Sequence, residues 1–355
     1  MSRKKIFLSL FKKCNIEELA YIDSSINDEG YIPTYEDMIS ISNCSEIDNK
    51  MYISKYSSFT QIEEYLYKNN LGVLTYFDEK YPQKLRNIAQ APRMVFYKGN
   101  LDILNTLSMA IIGTRKPSNY GIWATKKFSR ELSLKGFCVI SGMASGIDKY
   151  AHEGALESDG KTICVLGSSI SKPYPKTNTK LMEKVINSGG LVISEYSDIK
   201  PILPVNFAYR NRIVSALSDG ILIIEAGMKS GTLITADFGL EQGKNIFAIP
   251  GSIDSVSSIG TNNLIKQGAQ LVTNTNDILE MYDMNFNSYE LDDKNIDNLS
   301  ETEKNIYNYI RTKGLCTADL ISINTAINIK DVIGVLNILD IKSIINYDGH
   351  IASIK

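Results

Sequence analysis

An α/β fold with a doubly wound, mostly parallel sheet is predicted by three features of residues 108–272. Short apolar runs (MAII, FCVIS, TICVL, LVIS, ILIIE, IFAIP, AQLV) recur along the stretch, most of them separated by segments of helix length. The runs are continuous rather than alternating, which is the pattern of parallel strands buried on both faces. The segments after them are rich in Gly, Ser, Thr and Asn, and the right-handed crossover rule then winds helices onto both faces of the sheet.

Taken in order, residues 1–66 read as a small helical domain. IFLSLFKKC, IEELAYIDSSI and FTQIEEYLYK carry apolar residues at three- and four-residue spacing, with Gly30 and Pro33 breaking the middle. Residues 71–107 hold short strand-like runs punctuated by prolines and Gly99, a lead-in expected to pack on the next domain. Strand 109–112 precedes GTRKPSNYG and a helix at 122–134; strand 137–141 precedes GMASG and a helix at 147–158. Strand 162–166 precedes GSSISKPYP and a helix at 177–187, and strand 191–194 a Pro-rich loop and a helix containing 208–217. Strand 221–225 precedes GMKSG and a helix at 232–242, which leads to strand 246–250. A further loop and short helix lead to AQLV at 269–272. The domain spans 67–282.

Residues 283–298 are polar, acidic and nearly free of aliphatics, and read as a linker. In 299–355, Ser300-x-x-Glu303 is a capping box opening a helix at 301–312. TADLISI and KDVIGVLNIL supply two more helices, and IINY-Asp348-Gly349-HIASI a two-residue hairpin. Three helices closed by a hairpin is a winged-helix pattern. Its candidate recognition helix sets Lys330 against Asp331 and Asp340, which favours a protein contact or a degenerate module over sequence reading.

Composition excludes several classes. Of 355 residues, 43% are hydrophobic and 22% charged, and the net charge is −2. A globally basic coat is absent, although a local basic patch is compatible with that balance. Five scattered cysteines without a CxxC argue against a disulfide framework or zinc site and for reduced thiols. The apolar run in MSRKKIFLSLFKK is too short for a signal peptide, and no run approaches the length of a spanning helix. The expectation is a cytoplasmic protein with no membrane contact, no metal and no cofactor.

Ligands of open α/β sheets sit at the carboxyl ends of the strands. There, GTRKPSNYG lacks the G-x-G-x-x-G spacing of a dinucleotide site and puts Arg115 where a glycine would stand, and a guanidinium can hold a phosphate bidentately. Asp148 and His152 share a helix face in SGMASGIDKYAHEGAL. Without a nucleophile elbow they read as a turn partner and a packed side chain rather than an acid/base pair. Lys229-Ser230-Gly231-Thr232 opens a helix, where free amides and a lysine bind an anion. The Walker order is missing, so nucleoside triphosphate hydrolysis is not supported. Phe207, Arg210, Asn211 and Arg212 combine an aromatic, two cations and an amide, as single-strand binders do. The competing reading makes Phe207 core and pairs Arg212 with a carboxylate such as Glu225.

The successive blocks GTRKPSNYG, SGMASGIDKYAHEGAL, ISEY, FAYRNRIVSALSDGILIIEA, KSGTLITADFGLEQGKNIFAIPGS and GTNNLIKQGAQLV resemble the DNA processing protein A (DprA/Smf) family over roughly residues 70–280. The resemblance implies an extended Rossmann-like core between a helical (SAM-like) domain and a terminal winged helix. It further implies single-stranded DNA binding, a homodimer, and protection of incoming strands with loading of the RecA recombinase in natural transformation, without catalysis. Arg115, Arg210, Arg212 and Lys229 would neutralise phosphates, and the amides of Gly142, Ser230 and Gly231 would position them. Phe207 would stack a base, Asn211 would bond a sugar, base edge or neighbouring loop, and Thr232 and Asn262 complete the DNA-binding set. The chain departs from many relatives at Ala208, Ser145 and Thr261. The rival reading is a nucleotide-binding or nucleotide-hydrolysing enzyme of the lysine-decarboxylase-like group. That group's P-G-G-x-G-T-x-x-E loop would need a glutamate where KSGTLITAD has Thr235. Glu195 and Glu225 are left as carboxylates without a role.

Overall fold

Nine described strands form one sheet in the order β1-β2-β6-β5-β4-β3-β7-β8-β9. The computed structural model describes residues 2–41, 47–199, 201–282, 299–313, 316–342, 344–347 and 349–354. The chain divides into two units, Met1–Met284 and Asn285–Lys355.

The first unit opens with helices α1 (Arg3–Leu8), α2 (Ile16–Ser25), α3 (Tyr35–Ile41) and α4 (Asn49–Asn69). Strand β1 (Gly72–Thr75), the short helix α5 (Gln83–Arg86) and β2 (Met94–Gly99) come next. The core proper is β3 (Ser108–Ile112), α6 (Asn119–Leu134), β4 (Cys138–Ser141), α7 (Ile147–Leu156), β5 (Thr162–Leu166), α8 (Thr179–Asn187), β6 (Leu191–Ser194), α9 (Pro204–Leu217), β7 (Gly220–Ile223), α10 (Gly231–Glu241), β8 (Asn245–Ala248), α11 (Ile259–Lys266) and β9 (Gln270–Leu271). Helix α12 (Asn276–Leu279) ends the unit's regular structure before the 3₁₀ turn Glu280–Tyr282. Strands β3 to β9 pair in parallel, as the continuous apolar runs predict.

Side-chain alternation explains why those runs are apolar throughout. In β3, Met109 and Ile111 join the cluster of α6 and α7 residues Ala124, Phe128, Leu132 and Ala151. Ala110 and Ile112 face the opposite way, into the cluster of Ile213, Val214 and Ala236 from α9 and α10. Successive residues of a strand point to opposite faces, so a strand covered on both sides has no polar position to spare.

The lead-in departs from the expectation. Instead of packing on the sheet, it extends it: β2 pairs antiparallel with β6, and β1 antiparallel with β2. The N-terminal helices share one apolar cluster with that edge, running from Phe7, Phe11 and Phe59 to Phe96, Leu166 and Val192. A helical segment of this size cannot bury its own apolar faces fully, and the sheet edge supplies the missing partner.

The second unit holds α13 (Glu301–Lys313), β10 (Cys316–Thr317), α14 (Ala318–Thr325), α15 (Ile329–Ile341), β11 (Ile345–Tyr347) and β12 (Ile351–Ile354). Its three strands pair as β10-β12-β11 around Ile306, Ile310, Ile321, Val332, Leu336 and Leu339. The capping box forms in both directions: the Ser300 amide donates to Glu303 at 2.7 Å, and the Glu303 amide to Ser300 Oγ at 3.3 Å. The linker at 283–298 and the turn residue Asp348 lie outside the described residues.

Candidate nucleic-acid interface

The chain runs from β3 through β4 and β5 to β6 on one side, and from β7 to β9 on the other. The β3/β7 boundary is therefore the topological switch point, the place where open α/β sheets form their ligand crevice. The loop after β3 carries Arg115 and Lys116, and the loop after β7 carries Met228 and Lys229. Arg115, Lys116 and Lys229 are exposed, and neither Arg115 nor Lys229 forms an ion pair with any described residue.

The loops are fastened to one another by backbone. The Thr114 amide donates to Glu225 O at 2.9 Å, the Ile147 amide to Thr114 O at 3.1 Å and the Gly260 amide to Ala226 O at 2.7 Å. Gly146, at φ +82°, brings the GMASG turn so close that a Cβ there would lie 2.4 Å from Thr114 O. Only glycine combines that backbone with that approach. Asn178 clamps the same turn from below, donating to Met143 O at 2.9 Å and Ala144 O at 3.2 Å.

Glu225 stands at the base of the crevice, 3% exposed. It accepts the Ser118 amide at 2.9 Å, the Ser118 hydroxyl at 2.5 Å and the Ser257 hydroxyl at 3.2 Å. Ser118 also caps α6, taking the Gly121 amide at 3.0 Å. Glu225 thus locks three loops together. It is not the partner of Arg212.

Arg210 and Arg212 correct the expectation of two open phosphate ligands. They are 5% and 3% exposed. Arg210 Nη1 donates to Gly142 O at 2.6 Å and to Val165 O, and its Nε to Asn211 Oδ1 at 3.1 Å. Arg212 pairs with Glu195 at 2.7 Å, donates to Gln90 O at 3.1 Å and lies 3.9 Å over the Tyr209 ring. For Arg210 the physical reason is helical period. Arg210, Ile213, Val214 and Leu217 occupy one face of α9, and all four are buried. A buried guanidinium must find acceptors within the protein, and for Arg210 the carbonyls of Gly142, after β4, and Val165, in β5, provide them. Burial pulls the Arg210 group down, with the Asp148 carboxylate opposing it.

Gly142 is likewise internal. A Cβ there would lie 2.3 Å from the Arg210 guanidinium and 2.7 Å from Asp148 Oδ2. Asp148 takes the Ala144 amide at 3.3 Å and faces the Gly142 amide, so that amide serves the turn rather than an outside anion. Burial raises the Asp148 carboxyl, and Arg210 works against the rise.

Ser230 caps α10, accepting the Thr232 amide at 3.2 Å and donating to Thr232 Oγ1 at 2.9 Å. Gly231 is exposed, with open space where a Cβ would stand, whereas Thr232 is buried. Asn211 donates to Gly231 O at 3.4 Å and so ties α9 to the start of α10. Phe207 is half-buried, edge-on to Tyr174 with centroids 5.4 Å apart and pressed on Gly167. Asn262 forms a closed pair with the Gly251 backbone, accepting its amide at 3.2 Å and donating to its carbonyl at 3.0 Å. The loops at the switch point therefore carry Arg115, Lys229 and Gly231 as exposed groups, with Ser230 half-buried in its cap. Asn211 and Thr232 hold the start of α10, while Arg210 fastens the turn after β4, Arg212 the segment after β6 and Asn262 the loop after β8. Sequence reasoning passed over Ser118 and Asn178. Ser118 had a readable signal, since serine before a helix is a cap, but Asn178 had none.

His152 is fully buried, its Nδ1 2.7 Å from Thr162 Oγ1 and 3.8 Å from Cys164 Sγ. Burial first, and Arg210 second, pull its pKa down to about 3. An unfolded histidine protonates near 6.5, so His152 costs nothing above that pH, where both states are neutral. Below it the unfolded chain gains a proton that the fold refuses, and stability falls by about 1.4 kcal/mol per pH unit down to the folded pKa. Asp148, with a raised pKa, contributes in the opposite sense. The measurement is unfolding free energy from pH 7 downward for wild type and His152→Gln, with the shallower acid slope expected in the variant. Equal slopes would contradict a buried neutral imidazole.

A family model described as DNA recombination-mediator protein A matches residues 72–283. DNA processing protein DprA of Streptococcus pneumoniae is 41% identical over 206 residues, covering 58% of this chain and 72% of its own. Protein Smf of Escherichia coli K12 is 41% identical over 202 residues, covering 57% of this chain and 54% of its own. The X-ray structure of the Streptococcus pneumoniae protein superposes with a TM-score of 0.65 at 33% identity, covering 79% of this chain and 98% of that one. A structure of DNA processing protein A from Helicobacter pylori, described for its single-stranded DNA binding mode, gives 0.54 at 32%, covering 60% and 95%. Among the described residues no helix is long and apolar enough to cross a membrane. With the matched region spanning the whole sheet and every loop of the crevice, the chain belongs to the DNA recombination-mediator protein A family.

Proposed function

We propose that the crevice binds single-stranded DNA through its phosphates. The observation that carries this is the placement of Arg115 and Lys229, two exposed cations without a described ion-pair partner, on opposite sides of the switch point. Ser230 and Gly231 add the open start of α10, whose amides favour an anion. Phe207 is half-buried against Tyr174 and Gly167 beyond the end of β5, and we assign it base stacking. Arg210 and Arg212 act by fixing the loops.

In this reading the protein is a mediator rather than an enzyme. It covers incoming single strands in the cytoplasm, hands them to the RecA recombinase and works as a homodimer; the family likeness supports these roles. The carboxylates that a hydrolase would need are engaged elsewhere: Glu195 pairs with Arg212 and lies 3.7 Å from Lys12, and Glu225 is held by serines. We assign the second unit as a winged helix that meets a protein partner, because its helix α15 is not basic.

The test is fluorescence anisotropy of labelled oligo-dT and of a duplex of equal length across a salt series. Preference for the single strand with a falling log K against log salt is expected. Equal affinity for both, or no salt dependence, overturns the reading.

A further inference from the structure

The outer face of α6 carries side chains that the crevice does not use. Within α6, Tyr120, Trp123, Lys127 and Arg130 recur at three- and four-residue spacing and so form one stripe along the helix, with Lys116 in the loop before it. Tyr120 is 46% and Trp123 57% exposed. Their rings stack with centroids 6.0 Å apart and 29° between planes, and the Lys127 ammonium lies 5.3 Å from the Trp123 centroid. Lys116 and Arg130 are exposed, and Glu131, four residues after Lys127, is engaged by the Thr275 hydroxyl.

The stripe starts at the crevice itself. Ser118, the N-cap of α6 and five residues before Trp123, is bonded to Glu225 at the crevice base. The Tyr120 hydroxyl donates to Pro250 O at 3.4 Å, on the loop after β8. Burial and the nearby Glu225 charge both raise the Tyr120 phenol.

A single exposed aromatic requires no explanation. Two stacked rings flanked by cations are a different object. They offer a π face of the kind a base can use and positive charge for the phosphates on either side. An apolar protein surface would have to desolvate those cations without return, whereas a polyanion carrying flat bases complements both features.

We infer that this face of α6 is a second contact for single-stranded nucleic acid, continuous with the crevice. A base stacks on the Tyr120–Trp123 platform, and the phosphates beyond it meet Lys127 and Arg130. From Tyr120 to Arg130 the stripe runs about 15 Å along the helix, so a strand must outreach the crevice to fill it. The inference rests on the crevice being a phosphate site.

Trp123 is the chain's single tryptophan, so its emission reports on the platform alone. The experiment titrates the full chain with oligo-dT of about 4 and about 16 nucleotides, site sizes that bracket those of single-strand binders. Anisotropy follows binding and intrinsic fluorescence follows Trp123. The long strand is expected to quench the emission in step with anisotropy. Trp123→Ala should weaken the long strand about tenfold, the loss of one stacked base, and leave the short strand unchanged. Trp123→Phe should restore much of the affinity. Binding of the long strand with unchanged emission, or equal affinity in Trp123→Ala, overturns the inference while leaving the crevice intact. Emission that shifts with protein concentration alone assigns the face to a second copy and also overturns it. Failure of both strands to bind wild type at any salt removes the crevice reading first.

Discussion

Reversing both open cations, as Arg115→Glu with Lys229→Glu, is expected to cost single-stranded DNA binding a hundredfold or more. Each charged hydrogen bond lost is worth about 1.5–3 kcal/mol, and the introduced carboxylates add repulsion. The signature lies in salt dependence as much as in affinity. A single strand contributes about 0.7 to the slope of log K against log salt for each phosphate neutralised, so losing two should flatten it by about 1.4. The loss should be the same for every base composition, because phosphates carry no sequence information. Both residues are exposed and bonded to nothing described, so the melting temperature should stay near wild type. A large fall in stability, or a loss confined to one sequence, would contradict the assignment. Anisotropy over a salt series and a thermal melt decide it.

The sheet was legible because parallel strands declare themselves. From β3 to β8, apolar runs mark each strand to within about a residue or two at either end. The ring of Gly- and Ser-rich loops was legible for the same reason, since its place is set by where each run stops. What one sequence does not display is pairing across long separations. That β2 lies antiparallel on β6 depends on an edge left open by residues far away in the chain. Arg210 and Arg212 show the same limit from another side. Their charge suggested an open site, while the apolar residues at three, four and seven positions beyond Arg210 already placed it on the inner face of α9. Periodicity should have outweighed residue type there. Glu195 as the partner of Arg212 was out of reach, because the ion pair joins two segments that only the folded sheet brings together.

The buried Arg212–Glu195 pair carries the second large effect, and it separates holding the crevice from touching DNA. Arg212→Met should lower the unfolding free energy by about 3–5 kcal/mol, since it leaves a carboxylate in the interior without its main partner. Lys12, 3.7 Å from Glu195 and 63% exposed, is too well hydrated to replace the guanidinium. Removing both charges, as Arg212→Met with Glu195→Met, should return much of that stability, because no charge then remains to be desolvated. A phosphate ligand behaves differently: its affinity loss persists in the double variant. The expected result is that the double variant, once folded, binds single-stranded DNA with a wild-type salt slope. A slope reduced by about 0.7 in the double variant would instead give Arg212 a phosphate of its own. Chemical denaturation of the wild type, both single variants and the double variant supplies the coupling energy, and anisotropy on the same proteins supplies the slope. The two readouts move together only if the guanidinium leaves its buried site to reach the strand, and at 3% exposed with Glu195 2.7 Å away the cost of that exit is the cost of breaking the pair itself.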